Sequence, residues 1–312
     1  MGKIAFVFPG QGSQYVGMGR ELAEKYDLVR DIFQRADKIL NKKISNLCFH
    51  GPGNKLKSTE ITQPAILTMS AAICFLLEDL GLEPTHVAGH SLGEYSALVA
   101  AETIDLDDGL KIAAKRSLLM AEAVPQGLGT MAAVLGLRGE EVEKICTQLS
   151  APGKVVGPAN FNSPGQIVIS GHREAVKKAS KMAEAEGARR IIPLNVSGPF
   201  HSQLMEPVSG KLKTILENIN FTKPKYKFYA NITGTQKKDT ERIKEGLAGQ
   251  VYRPVLWQQT VENMVEDGVG TFVEVGPGKV LSGLIKRIHR KARVLNIEDG
   301  ESLEKAQAVL KG

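Results

Sequence analysis

The chain has 312 residues, 42% of them hydrophobic and 24% charged, with a formal net charge of +6. That length suits one large domain, or one large domain carrying a second, and the balance is that of a globular protein, not a disordered one. Aromatics make up only 5% and no basic stretch is interleaved with them, which argues against nucleic acid; three widely spaced cysteines, Cys48, Cys74 and Cys146, argue against a disulfide framework or a metal knuckle.

Ile4–Phe8 is too short for a signal peptide core, and no apolar run approaches the ~20 residues a membrane crossing needs. The expectation is a cytoplasmic protein without a membrane partner. Lys3–Phe8 reads as a first strand, ended by the glycine-rich loop Pro9-Gly10-Gln11-Gly12-Ser13-Gln14. Tyr15 stands where G-x-G-x-x-G needs its third glycine, so the loop is a poor phosphate cradle. A loop after a first parallel strand is still a usual place for ligand contacts. Helical patterns cover about 18–40 and 61–80, the second with Pro64 placed in its first turn.

A short β-favouring segment around Val87 then leads into Gly89-His90-Ser91-Leu92-Gly93, followed by an apolar helical pattern. This G-x-S-x-G in strand–turn–helix context predicts a nucleophile elbow with Ser91 at its tip. The N–H of Leu92, at the helix start, is free to meet a developing oxyanion. A further helix is expected over about 107–122.

From about 127 to 196 the pattern becomes β-α-β-β-α-β: strands at Met131–Leu135, near Val155, at Gln166–Ser170 and at Arg190–Leu194, with helices over 140–149 and 172–186. This is the ferredoxin-like order, with an Asn/Pro/Gly-rich turn between the middle strands. Afterwards helices near 202–218, 240–249, 257–267 and 279–289 alternate with strands near 227–230, 271–275 and 294–297. The expected fold class is therefore α/β: a discontinuous, hydrolase-like parallel-sheet domain (1–126 and 197–312) with a ferredoxin-like insertion at 127–196.

A serine nucleophile needs a base, most often histidine. Of six histidines, His50, His86 and His172 read as loop, strand-start and helix-cap residues. His289 lies in the basic run 286–293, which reads as a solvated helix end, and His90 should point away from Ser91. His201 is preferred, because it follows Ser197-Gly198-Pro199-Phe200 where the chain re-enters the large domain. No acid between Ser91 and His201 has a distinctive context.

The motifs taken together resemble the malonyl-CoA:acyl carrier protein transacylases of fatty acid and polyketide synthesis. They are F-P-G-Q-G-S-Q at 8–14, T-Q-P-A at 62–65, G-H-S-L-G-E at 89–94, Arg116 in K-R-S-L-L-M, N-F-N-S-P-G-Q-I-V-I-S-G at 160–171, G-P-F-H ending at His201, Gln250 in A-G-Q-V-Y-R-P-V-L-W, and E-V-G-P-G at 274–278. The resemblance spans nearly the whole chain and implies Ser91 as nucleophile and His201 as base. It also implies that a main-chain carbonyl near Gln250 orients His201, and that the N–H groups of Gln11 and Leu92 form an oxyanion hole. Arg116 would hold the substrate carboxylate, and Phe200 would mark selectivity for malonyl over branched acyl groups. Malonyl-CoA and acyl carrier protein would be the partners, with no metal or other cofactor. Two alternatives remain open from residues alone: a serine esterase or thioesterase with water as acceptor, and a non-catalytic carrier-protein docking module.

Overall fold

The computed structural model describes residues 2–311. Its strands are β1 Lys3–Phe8, β2 His86–Gly89, β3 Gly129–Leu135, β4 Val156–Ser163, β5 Gln166–His172, β6 Arg190–Pro193, β7 Lys227–Tyr229, β8 Gln236–Lys237, β9 Val269–Val275 and β10 Arg293–Ile297. Six form one sheet in the order β10-β9-β1-β2-β7-β8, parallel except for the short edge strand β8. Phe6 and Phe8 of β1 face one hydrophobic core, while Ala5 and Val7 face the other. A strand buried on both faces explains why β1 reads as a continuous apolar run without alternation.

The other four strands form an antiparallel sheet in the order β4-β5-β3-β6. Here the period of two is explicit. Ala132 and Val134 of β3 pack under the helices Gly139–Leu149 and Arg173–Ala185, while Met131 and Ala133 join the core shared with the larger sheet. Edge strand β4 is tied to the larger unit by Phe161 N–H to Val255 C=O and Val255 N–H to Ala159 C=O, both at 2.9 Å. The outermost ends of the expected domain division, residues 1 and 312, lie outside the described residues.

Several expectations need correction. The helix carrying Pro64 is Thr59–Asp79, so Pro64 sits beyond its first turn. A proline there cannot donate to the carbonyl of Glu60; the Ser117 hydroxyl comes no nearer to that oxygen than 3.5 Å and donates instead to Ala114 C=O at 2.8 Å. The same 21-residue helix is long and apolar enough to cross a membrane, contrary to the expectation that no segment would be. In this fold it is a core helix, with residues such as Ile66, Met69, Ile73 and Leu77 fully buried. Most of the segment expected as a turn before Gln166 belongs to β4, where an edge position tolerates Pro158 and register shifts absorb the asparagines. Helices Ile44–His50, Gly53–Leu56 and Gly300–Lys311 were not anticipated, and His50 ends the first of them instead of lying in a loop.

Candidate active site

The carboxyl ends of β1 and β2 open onto the same region, where open parallel sheets gather their ligands. Ser91 follows β2 at the sharp turn into the helix Gly93–Ala100 and holds a left-handed φ of 52°. The flanking glycines are required by contact. A Cβ on Gly89 would lie 1.9 Å from the Gly93 carbonyl, and one on Gly93 would lie 2.0 Å from the Phe8 carbonyl oxygen.

The Ser91 hydroxyl lies 2.8 Å from His201 Nε2. His201 Nδ1 donates to the backbone carbonyl of Gln250 at 2.7 Å, which leaves Nε2 free to accept from serine. Gln250 ends the helix Thr240–Gln250, so this carbonyl is one of those a helix C-terminus leaves unpaired. It lies at the negative end of the helix dipole, where a developing imidazolium is favoured. No carboxylate stands behind His201 among these contacts; a helix end takes that place. Like Ser91, His201 has a left-handed backbone, φ 58°. Burial, and after it the nearby charge of Arg116, pushes its imidazole down to about 3, so it is neutral and able to accept a proton at neutral pH.

Arg116 comes from the helix Leu106–Glu122, whose inward stripe includes Leu110, Ala113, Ser117 and Met120. Sharing that stripe with an apolar row, Arg116 is 1% exposed. Its Nη1 donates to Gln63 Oε1 at 2.5 Å, and its Nη2 to Gln250 Oε1 at 2.9 Å and to Ser91 Oγ at 3.1 Å. Its guanidinium also lies 5.4 Å from the centre of the Tyr95 ring. These neighbours are neutral acceptors, so the cation faces the nucleophile without a contacting carboxylate.

A cavity of about 110 Å³ joins these groups, lined by Gln11, Ser91, Leu92, Arg116, Phe200 and His201, and closed from the small sheet by Met131. Among the described residues, the N–H groups of Gln11 and Leu92 have no hydrogen-bond acceptor within the chain. All seven site residues expected from sequence therefore converge here. His90 also lines the cavity, but its Nε2 lies 2.8 Å from Asn162 Oδ1 and not beside the Ser91 hydroxyl.

Sequence reasoning missed the layer beneath. Asn231, just past β7, is fully buried. Its Oδ1 accepts from Ser91 N–H at 2.7 Å, and its Nδ2 donates to Gly89 C=O at 2.6 Å. Glu94 is also buried and accepts from the Asn231 N–H at 3.2 Å and from Gln250 Nε2. Burial pushes its carboxyl up to about 7, against hydrogen bonds from Asn231 and Gln250 and the charge of Arg116. The clue available for Asn231 was its place just past β7, at the same sheet edge as the serine turn.

Known proteins resemble this chain over nearly its whole length. The acyl transferase domain family matches residues 5–307. The chain is 44% identical to the malonyl CoA-acyl carrier protein transacylase of Bacillus subtilis (strain 168), over 100% of this chain and 98% of that one. An acyl carrier protein S-malonyltransferase structure from Vibrio cholerae superposes with a TM-score of 0.95 at 44% identity, covering 97% of this chain and 99% of that chain. A malonyl-transacylase solved in complex with a type II PKS acyl-carrier protein superposes with a TM-score of 0.96 at 42% identity, covering 98% of this chain and 99% of that chain.

Proposed function

The chain belongs to the acyl transferase family, and on that premise we propose that Ser91 takes a malonyl group from malonyl-CoA and passes it to the phosphopantetheine thiol of acyl carrier protein. This transfer supplies fatty acid elongation. The observation that carries the residue assignment is the buried Arg116, whose Nη2 lies 3.1 Å from the Ser91 hydroxyl. A guanidinium is permanently charged and meets a carboxylate with two parallel hydrogen bonds. A cation held this close to the nucleophile selects an acyl group with its own carboxylate one carbon beyond the thioester.

In the first half-reaction His201 Nε2 takes the Ser91 proton while Oγ bonds to the thioester carbonyl carbon. The N–H groups of Gln11 and Leu92 receive the oxyanion. Collapse breaks the C–S bond, and CoA leaves as thiol with the proton returned from His201. Esterification also makes Oγ a weaker acceptor, which frees an Arg116 N–H for the malonyl carboxylate. In the second half the carrier thiol gives its proton to His201 and attacks the ester, the C–O bond breaks, and Ser91 regains its proton. The Phe200 ring forms part of the cavity wall, where it crowds the space of an α-methyl branch. The scheme uses no metal or other cofactor. We place it in the cytoplasm, within a catalytic domain of 1–126 and 197–312 completed by an inserted domain of 127–196.

Incubation with labelled malonyl-CoA, with and without acyl carrier protein, tests this reading. Label should remain on Ser91 and move to the carrier when it is added. Rapid release as free malonate, unaffected by carrier, would favour an esterase. Absence of any adduct on Ser91 would favour a docking module.

A further inference from the structure

Behind Arg116 the structure contains a carboxylate that the proton transfers do not use. Glu94 lies in the first turn of the helix following Ser91 and is 2% exposed. One of its oxygens accepts from Asn231 N–H at 3.2 Å, and the other accepts from Gln250 Nε2. On its opposite side the Gln250 amide presents Oε1 to Arg116 Nη2 at 2.9 Å. We propose that Glu94 is the positioning residue for malonyl selectivity: it fixes the orientation of the Gln250 amide, which in turn aims the Arg116 guanidinium at the substrate carboxylate.

The argument rests on which atoms can donate. A side-chain amide has a donor end and an acceptor end, and the two orientations have nearly the same shape. Arg116 carries only donors, so it requires the oxygen of Gln250. In the observed arrangement both Glu94 oxygens accept, one from Asn231 N–H and one from Gln250, so Glu94 requires the nitrogen. Glu94 and Arg116 thus specify the same orientation from opposite sides. The Gln250 nitrogen also donates to Ser91 C=O at 2.9 Å, so the same orientation braces the nucleophile's turn.

Glutamine at position 94 cannot reproduce this pattern. With its oxygen toward Gln250, its NH₂ faces the Asn231 N–H, donor against donor. With its NH₂ toward Gln250, it opposes the Gln250 nitrogen or turns that amide over, pointing its nitrogen at Arg116. Either arrangement leaves a buried donor unmatched, and the second misdirects the guanidinium. A carboxylate thus sits beside the catalytic pair but outside the line of proton transfer, acting on the substrate-binding arm.

This inference rests on Arg116 being the carboxylate clamp, so the experiment must separate the two ideas. Single-turnover acylation of Ser91 by malonyl-CoA and by acetyl-CoA should be measured for wild type, Glu94→Gln and Arg116→Ala, with folding checked by circular dichroism. Glu94→Gln should lower the malonyl-to-acetyl rate ratio about tenfold or more, chiefly through a higher malonyl KM. A collapsed ratio in Arg116→Ala with an unchanged ratio in Glu94→Gln would overturn the role of Glu94 alone. An unchanged ratio in Arg116→Ala would overturn the clamp itself. If Glu94→Gln does not fold, Glu94→Asp keeps the charge but withdraws the carboxylate by one methylene. It should lower the ratio too, and equal losses for both acyl groups would contradict the proposal.

Discussion

Ser91 and His201 are tied by a 2.8 Å hydrogen bond, and both hold left-handed backbone angles, φ 52° and φ 58°. That conformation costs a residue with a Cβ about 1–2 kcal/mol and is a recurrent form of strain at reactive sites. Ser91→Gly and Ser91→Ala both remove the hydroxyl, yet only glycine relieves the backbone. The glycine variant should be more stable than the alanine variant by about 1 kcal/mol in urea unfolding. Equal midpoints and slopes would show that the turn is unstrained.

Asn231 should prove as necessary to the turn as the glycines. Asn231→Ala leaves the Ser91 N–H and the Gly89 carbonyl without their buried partner, at roughly 1–3 kcal/mol for each unmatched group. We expect a loss of about 3 kcal/mol in chemical denaturation, together with slower acylation by malonyl and acetyl groups alike. A stability change below about 0.5 kcal/mol would mean that other groups already satisfy these atoms.

The His201 imidazole, lowered to about 3 mainly by burial and then by Arg116, sets two pH dependences. In the unfolded chain it titrates near 6.5. Between those values the unfolded state binds the extra proton, so acidification below 6.5 erodes stability. His201→Gln should therefore lose less stability than wild type between pH 7 and 5. In acetyl transfer, where no substrate carboxylate offsets Arg116, kcat/KM should show no His201-dependent fall until well below 6.5. Arg116→Ala should move that fall to higher pH; a shift to lower pH would contradict the electrostatic account.

The three cysteines are buried and free. Burial raises the thiol of Cys74 to about 12, that of Cys146 to about 12, and that of Cys48 further still. Because the thiolate is the reactive form, folded protein should resist iodoacetamide at pH 8 while urea-unfolded protein takes up three labels. Rapid modification of the native chain with loss of activity would point to a thiol in the chemistry.

Chain order made the fold legible wherever periodicity was clean. The β-α-β-β-α-β run and the alternation around the larger sheet both follow from the spacing of apolar residues. Boundaries failed where another force overrode propensity. The rule for first turns predicts a helix start near Pro64, but the buried stripe of that helix extends back to Thr59. The asparagines near residue 160 read as a turn because the stabilising edge contact to Val255 is distant in sequence. At the site, Ser91 could be read from its local turn. Arg116 needed more: spacing alone reads it as a helix-surface arginine, the motif resemblance gave its role, and its neighbours Gln63 and Gln250 are brought to it only by the fold. Asn231 and Glu94 act through buried hydrogen bonds between separate segments, and local spacing carries little trace of such bonds.

Malonyl selectivity through a buried cation is the central claim, and Arg116→Ala tests it most directly. Leaving one member of a buried ion pair unmatched costs about 3–5 kcal/mol, equivalent to roughly 10²–10³-fold or more in rate or affinity. Rates of Ser91 acylation from malonyl-CoA and acetyl-CoA should be compared in the variant and in wild type. Malonyl transfer should fall by at least about a hundredfold, while acetyl transfer changes by less than about tenfold. Equal losses for the two acyl groups would contradict the account.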